Sequence, residues 1–184
     1  QFHTTRWKNG KGETSELAIN DGGTLADFDW RLSRARVTED GAFSCFEGYL
    51  RQLILIKGNG IELQHDQSVA DRLDNLLDFA TFDGGCHTVA RLINGPITDI
   101  NLITKAGKYD VSLDTCAASQ TITLRACTHC FIYCLDAEAT LTAQDDAVNI
   151  TLAAGHLMHL HQVDTEKLQI NGKNMIVVHL NERT

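Results

Sequence analysis

The sequence predicts an all-β protein built from two tandem barrel-like units. Three observations support this prediction: short apolar runs recur about every ten residues, turn residues separate them, and the 184-residue chain contains one proline. A sheet whose strands all use their N–H groups tolerates few prolines. With 43% hydrophobic residues, the chain carries enough apolar side chains to form a packed core.

The predicted strands follow the apolar runs in order. Phe28–Val37 alternates and ends before a turn at Glu39-Asp40-Gly41, and Leu50–Ile56 is a nearly continuous apolar run closed by Gly58-Asn59-Gly60. Further strands are predicted at Val89–Ile93, Ile100–Thr104, Thr121–Leu124, Phe131–Leu135, Val148–Leu152, His156–Leu160 and Met175–Leu180. The apolar positions of Val69–Leu77 fit a short helix no better than two strands.

An internal repeat relates the two halves of the chain. Three pairs of segments match in the same order: Leu53–Leu63 with Phe131–Leu141, Leu76–Gly85 with Leu152–Leu160, and Ile93–Ile103 with Ile170–Leu180. Two copies of an antiparallel jelly-roll barrel give this pattern, which is that of a bicupin. We predict a first cupin lobe at residues 1–107 and a second at 108–184. They join near Lys105–Gln120 and pack as one rigid body.

The composition of the chain limits which binding partners and which cellular compartment are expected. The formal net charge is −8, and no basic block occurs, so nucleic-acid binding is not expected. No apolar run approaches the roughly 20 residues of a membrane helix, and no export signal is recognisable. We therefore expect a cytoplasmic protein whose six cysteines are reduced thiols. Exposed apolar strands and the histidines of the second half offer a face for a homodimer, although the sequence does not give the oligomeric state.

Several uncommon motifs occur in order along the first half. They are Trp-x-Asn-Gly and Thr-x-Glu within Trp7–Leu17, Trp-Arg-x-Ser and Phe-Ser-x-Phe within Phe28–Leu63, Phe82–Gly85, and Asp-x-Asn-Leu within Leu92–Ile103. In these motifs the chain resembles the HutD/Ves family of bacterial cupin-like proteins. The second half matches this family mainly in pattern.

The resemblance implies a regulatory protein of histidine utilisation. HutD proteins are thought to tune that pathway by binding a metabolite, such as formylglutamate or urocanate, in the first barrel. The Ves branch is linked to stress and cold response, without a settled activity. We therefore expect a small anionic metabolite as partner, no cofactor, and a protein that is more plausibly a binder than an enzyme.

Alternation along the first long strand predicts a polar pocket. Arg31, Ser33, Ala35 and Val37 share one strand face. A buried guanidinium needs a partner, and either Glu16 or a ligand carboxylate can supply it. A surface arginine or a structural ion pair is the alternative. The predicted ligand-binding residues are Trp7, Asn9, Thr14, Glu16, Arg31, Ser33, Phe43, Ser44, Phe46, Arg51 and Asn101.

Two enzymatic alternatives stay open. A metal-free isomerase or hydrolase acting on a small carboxylic acid would use Glu16 as its general base. No metal site is predicted in the first half, but His159, His161 and His179 form an alternative ligand set in the second. The Cys127-Thr-His-Cys130 motif leads into a strand, so we interpret its thiols as buried small hydrophobes.

Overall fold

The computed structural model describes residues 4–7, 10–143, 148–164 and 167–183. These residues form strands, turns and loops without a helix, so the predicted all-β fold class is confirmed. None of the described segments is a helix long and apolar enough to cross a membrane. The chain divides into two compact units, Gln1–Lys108 (unit 1) and Tyr109–Thr184 (unit 2). Packing of the two lobes as one rigid body remains a prediction.

Unit 1 contains two antiparallel sheets. Its strands are β1 (Thr4–Arg6), β2 (Gly12–Ile19), β3 (Trp30–Val37), β4 (Gly41–Ala42), β5 (Tyr49–Lys57), β6 (Ile61–His65), β7 (Asp71–Leu73), β8 (Phe79–Asp83), β9 (Thr88–Leu92) and β10 (Ile97–Lys105). One sheet has the order β1-β2-β3-β10-β5-β8, and the other has the order β4-β9-β6-β7. The inner faces of the sheets supply a buried apolar cluster that includes Leu53, Leu55, Ile61 and Leu63.

Unit 2 also contains two antiparallel sheets. Its strands are β11 (Tyr109–Cys116), β12 (Gln120–Thr123), β13 (Cys127–Cys134), β14 (Ala139–Ala143), β15 (Asn149–Leu152), β16 (Leu157–Val163), β17 (Leu168–Gly172) and β18 (Met175–Glu182). The sheet orders are β11-β18-β13-β16 and β12-β17-β14-β15. The segment interpreted as the join therefore contains a full strand, β11, which pairs with β18 along its whole length.

The segment Val69–Leu77 forms neither a helix nor two strands. It contains the short strand β7 and then a turn, in which the carboxylate of Asp78 accepts the backbone N–H groups of Asp74 and Asn75 at 3.1 and 2.8 Å. A short polar side chain that bonds nearby backbone in this way favours a turn over helix. This local bonding explains why the apolar spacing alone was a poor guide.

The repeat is present, but its residue matching is displaced by one position in β5 and β13. Leu55 exchanges backbone hydrogen bonds with Leu77 and Asp78, and Cys134 does the same with Gly155 and His156. Leu77 and Gly155 also share the left-handed conformation, with φ angles of 72° and 73°. Leu55 is therefore equivalent to Cys134, whereas the sequence matching had paired it with Tyr133. The hairpins cause the offset, because β6 begins six residues after Leu55 and β14 five residues after Cys134.

Candidate ligand-binding site

A cavity of about 820 Å³ lies in unit 1 against the inner face of β2, β3, β5 and β10. This volume is within the usual range for small-molecule sites. Ten of the predicted ligand-binding residues line it: Trp7, Thr14, Glu16, Arg31, Ser33, Phe43, Ser44, Phe46, Arg51 and Asn101. The eleventh, Asn9, lies outside the described residues.

Strand register explains why distant residues meet in this cavity. Asn101 of β10 lies opposite both Ser33 of β3 and Leu53 of β5, and Glu16 of β2 lies opposite Ser33. Directly opposite residues point to the same side of a sheet, so the polar side chains of four strands share one face. The same face also carries Leu53 and Leu55 of β5, which belong to the apolar cluster.

Arg31 pairs with Glu16, the internal partner considered for it from sequence. The guanidinium Nε donates to Glu16 Oε2 at 2.9 Å, and the Arg31 side chain is only 9% exposed while that of Glu16 is 33% exposed. Within the described part of the chain, the two terminal nitrogens of Arg31 have no hydrogen-bond partner. One edge of the guanidinium is thus fixed by Glu16, and the terminal nitrogens remain available on the cavity wall.

A second arginine starts a buried hydrogen-bond relay. Arg51 donates from Nη2 to Asn101 Oδ1 at 2.8 Å and from Nη1 to the Ser44 carbonyl at 3.1 Å. The side-chain amide of Asn101 then donates to Asp99 Oδ1. Both Arg51 Nε and Asp99 Oδ2 are buried without a hydrogen-bond partner among the described residues. Such orphaned buried groups are rare in folded proteins and mark this relay as functionally interesting.

Three aromatic rings surround the Arg51 guanidinium. Its central carbon lies 5.4, 5.5 and 5.2 Å from the ring centroids of Phe43, Phe46 and Phe82. At these distances each ring face attracts the cation. Burial nevertheless lowers the pKa of Arg51 to about 10, against the attraction of Asp99. At neutral pH the guanidinium of Arg51 is still charged, so two of the positive side chains that line the cavity, Arg31 and Arg51, are buried.

Asp99 is the site residue that the sequence interpretation missed. It is completely buried and lines the cavity. Burial raises its pKa from 3.8 to about 7, while Arg51 and Asn101 act in the opposite direction. Its placement two residues before Asn101, on the same strand face, was visible in the sequence and is the signal that could have found it.

The opening motif forms the wall beside the first strands. The Trp7 indole donates to Thr14 Oγ1 at 2.8 Å and makes an edge contact with Phe43, with ring centroids 6.2 Å apart. A Cβ on Gly12 would lie 2.4 Å from the Arg36 carbonyl and 3.1 Å from the Trp7 ring. Only glycine allows β2 to approach β3 and the indole this closely.

The alternative metal ligands do not converge. His159 lies opposite Phe131, and His161 lies opposite His129, so both point to one face of the β13–β16 pair. His179 lies opposite Cys130 and therefore points to the other face. Among the described residues, no group of three histidine, cysteine or carboxylate side chains is arranged to hold a metal ion.

The comparison with known families decides the affiliation. The HutD family model matches residues 1–178. The chain belongs to the HutD family. The resemblance inferred from the motifs is thereby confirmed, and the cupin-like fold class with it.

HutD-family relatives occur among both curated proteins and solved structures. An uncharacterised 21.2 kDa protein in the hutC 3′ region of Pseudomonas putida is 38% identical over 107 residues, which are 58% of this chain and 56% of that protein. Protein Ves of Escherichia fergusonii is 36% identical over 100 residues, 54% of this chain and 51% of Ves. The match therefore spans about half the length of these curated relatives.

The solved HutD structure covers far more of the chain. HutD from Pseudomonas fluorescens, determined in a formate condition, superposes with a TM-score of 0.85 at 27% identity, over 100% of this chain and 95% of that one. The HutD architecture thus extends through both units.

Proposed function

We propose that this HutD-family protein is a non-catalytic regulator of histidine utilisation that binds a small anionic metabolite in the unit 1 cavity. The expected ligand is a carboxylic acid of the formylglutamate or urocanate kind. Arg31 carries the proposal, because its terminal nitrogens have no partner among the described residues although its side chain is nearly buried. A carboxylate fits the planar fork of a guanidinium, because its two oxygens can accept two parallel N–H groups.

The charge balance of the cavity supports an anionic ligand. Arg6, Arg31 and Arg51 supply three positive charges, and Glu16 supplies one negative charge against Arg31. Because the pKa of Asp99 is about 7, that carboxyl is neutral in a large fraction of molecules at neutral pH. The side chains that line the cavity therefore carry a net charge between +1 and +2. A bound carboxylate would compensate it in a partly buried setting where charges interact strongly.

The family match and the name of one relative support the link to histidine utilisation. The whole-chain HutD match and the hutC-region relative both point to that pathway. A regulator needs selective binding without consumption of the ligand. The cavity supplies selective groups in Arg31, Ser33 and Asn101, and its aromatic wall would cover the apolar part of a metabolite.

A binding panel tests the proposal directly. Urocanate, formylglutamate, glutamate, histidine and formate would be titrated by calorimetry and by Trp7 fluorescence, since Trp7 lines the cavity. A specific ligand at about 100 times its Kd should stabilise the protein by ~2.7 kcal/mol. Nuclear magnetic resonance should recover the ligand unchanged after prolonged incubation. Absence of binding by every pathway acid would refute the pathway assignment.

Matched arginine variants test the site. Arg31→Gln should weaken binding about 10- to 100-fold, the range expected for loss of charged hydrogen bonds. Arg36→Gln is the control, because Arg36 lies exposed on the same strand and on its opposite face. Equal affinity of the two variants would show that the ligand binds elsewhere. In cells that carry this gene, Arg31→Gln should alter histidine consumption as the gene deletion does.

A metal-free enzyme acting on a small acid is the second candidate function. Asp99 favours it, because a buried carboxyl with a pKa of about 7 in a cavity can both donate and accept a proton. Glu16, the base suggested by the sequence, is instead engaged by Arg31. Conversion of any panel acid by the wild type, and its loss in Asp99→Asn or Glu16→Gln, would establish catalysis.

A further inference from the structure

Asp99 occupies an unusual position for an acidic side chain. It lies in β10 between Ala35 of β3 and Leu55 of β5, and it is completely buried. One oxygen accepts the Asn101 amide, and the other has no hydrogen-bond partner among the described residues. A permanently ionised carboxylate would normally be satisfied more fully than this. The geometry therefore suits a group that is neutral in one state of the site.

The charged neighbours of Asp99 come from several elements. β5 contributes Arg51, which reaches Asp99 through Asn101, and β3 contributes Arg31, already paired with Glu16 of β2. A further titratable group is the thiol of Cys45, the residue that comes directly after the cavity-lining residues Phe43 and Ser44 in the chain.

The facing sheet contributes one buried titratable group among the described residues. His65 of β6 is buried, lies against Phe82 with ring centroids 4.3 Å apart, and bonds Thr88 and Asp71 at 2.9 and 3.2 Å. Its ring nitrogens are therefore both occupied by partners other than Asp99. Among the described residues, Asp99 is the one acidic side chain that is buried, and it is coupled to Arg51 through Asn101.

A ligand carboxylate would change this electrostatic balance. It would add a negative charge to the cavity and would offset part of the positive charge of Arg51, which favours the ionised form of Asp99. Both effects favour the neutral acid form of Asp99. Because Asp99 titrates near neutrality, even a modest effect would move a substantial fraction of a proton.

We propose that Asp99 is a specificity-determining residue that takes up a proton when a carboxylate binds, so that the cavity prefers acids over their neutral amides, most strongly at low pH. This inference rests on the proposed binding of a carboxylate in the unit 1 cavity. The step is balanced: solvent supplies the proton, Asp99 holds it, and ligand release returns it.

Carbon-13 labelling of aspartate tests the inference with formate as the probe. The Asp99 carboxyl resonance, assigned by its absence in Asp99→Asn, should titrate near pH 7 in the free protein. Saturating sodium formate should raise that midpoint by about one pH unit, whereas neutral formamide should not. The affinity for formate should then fall about tenfold from low to high pH. Calorimetry in buffers of different ionisation enthalpy should show proton uptake.

Two variants make the test specific. Asp99→Asn should bind formate with little pH dependence and without proton uptake. Asp164→Asn, which removes an exposed aspartate from unit 2, should behave as the wild type. A midpoint that no carboxylate moves, or pH-dependent binding that survives in Asp99→Asn, would overturn the inference.

The outcomes separate this inference from the proposed function. If formate moves the Asp99 midpoint but neither urocanate nor formylglutamate binds, the inference stands and the histidine-utilisation ligand is wrong. If a pathway acid binds without proton uptake and without moving that midpoint, the function stands and the role of Asp99 is wrong.

Discussion

Units 1 and 2 share a strand order but bury very different side chains. The sheets β3-β10-β5-β8 and β4-β9-β6-β7 of unit 1 correspond to β11-β18-β13-β16 and β12-β17-β14-β15 of unit 2. Yet of the eleven buried polar or charged side chains among the described residues, ten lie in unit 1 and only His179 lies in unit 2. One backbone plan therefore supports both a polar cavity and an apolar core.

Strand pairing identifies the exchanged positions. With Leu55 equivalent to Cys134, the cross-strand pairs relate the remaining residues of the inner face. The equivalent pairs are Arg51 with Cys130, Leu53 with Ile132, Asp99 with Met175, and Asn101 with Val177. The unit 2 members of all four pairs belong to its buried apolar cluster. The relay of unit 1 is thus replaced by side chains that need no polar partner.

The difference between the two units indicates why unit 1 keeps polar and charged side chains in its interior. Burying charged and polar groups costs several kcal/mol unless partners compensate, and apolar replacements of similar size are often at least as stable. Unit 2 shows that this fold accepts such replacements at equivalent positions. Stability alone therefore does not explain Arg51, Asp99 and Asn101, and ligand binding supplies the missing reason.

Truncating equivalent core residues should have the largest effect. Leu53→Ala and Ile132→Ala each remove a fully buried aliphatic side chain, so each should lower the free energy of unfolding by about 2–5 kcal/mol. Urea unfolding with hydrogen exchange resolved by unit would measure both. Only Leu53→Ala should also weaken ligand binding. A cost below 1 kcal/mol at either position would show that the two cores are not comparably packed.

Neutralising Asp99 should have the next largest effect, and its sign depends on pH. Aspartate ionises near pH 3.8 in the unfolded chain but near pH 7 in the folded protein. Between these values the folded state binds more protons, so this contribution to stability is present at pH 4 and is lost as pH rises to 7. Moving a pKa from 3.8 to about 7 corresponds to at most about 4 kcal/mol.

Asp99→Asn should therefore raise the free energy of unfolding at pH 8 and change it little at pH 4. Urea unfolding followed by tryptophan fluorescence reports on unit 1, because Trp7 and Trp30 both lie there. A destabilisation of equal size at both pH values would indicate lost packing or hydrogen bonding instead of removal of a titrating group.

Most of the strands and part of the candidate site could be predicted from the sequence. Alternation placed Arg31 and Ser33 on one face, and apolar runs located most long strands, because both depend on the two-residue period of a strand. The family motifs were needed to predict that one cavity contains Trp7, Phe43, Arg51 and Asn101, since periodicity does not specify which strands are neighbours.

The errors have physical causes that lie beyond strand periodicity. The repeat was misaligned by one residue because a hairpin can be one residue shorter without any change in the apolar pattern. A shift of one residue moves every side chain of the matched strand to the opposite face of the sheet. His179 was grouped with His159 and His161 because it lies in the predicted return strand, and only cross-strand register shows that it faces the core. Asp99 was undervalued because its importance arises from burial, which the sequence does not display.

The smallest predicted effect concerns His179, and it should have the opposite pH dependence to that of Asp99. His179 is buried; its Nε2 accepts the Arg125 backbone N–H at 3.2 Å, and its Nδ1 has no hydrogen-bond partner among the described residues. Burial, reinforced by the charge of Arg125, lowers the pKa of His179 below its ordinary value of 6.5, while Asp114 opposes the shift. The unfolded chain therefore binds more protons as pH falls below 6.5, and unit 2 should lose stability there.

His179→Gln tests this sign, because the amide oxygen of glutamine can still accept the Arg125 N–H. The wild type should lose hydrogen-exchange protection in β13 and β18 between pH 7 and pH 5, after correction for the intrinsic rates, and His179→Gln should lose less. His161→Gln is the matched control, since His161 is exposed in the same unit. If both variants follow the wild type, His179 does not set the acid sensitivity of unit 2. If unit 2 instead gains protection as pH falls, the contrast in buried charge between the two units does not govern their stability.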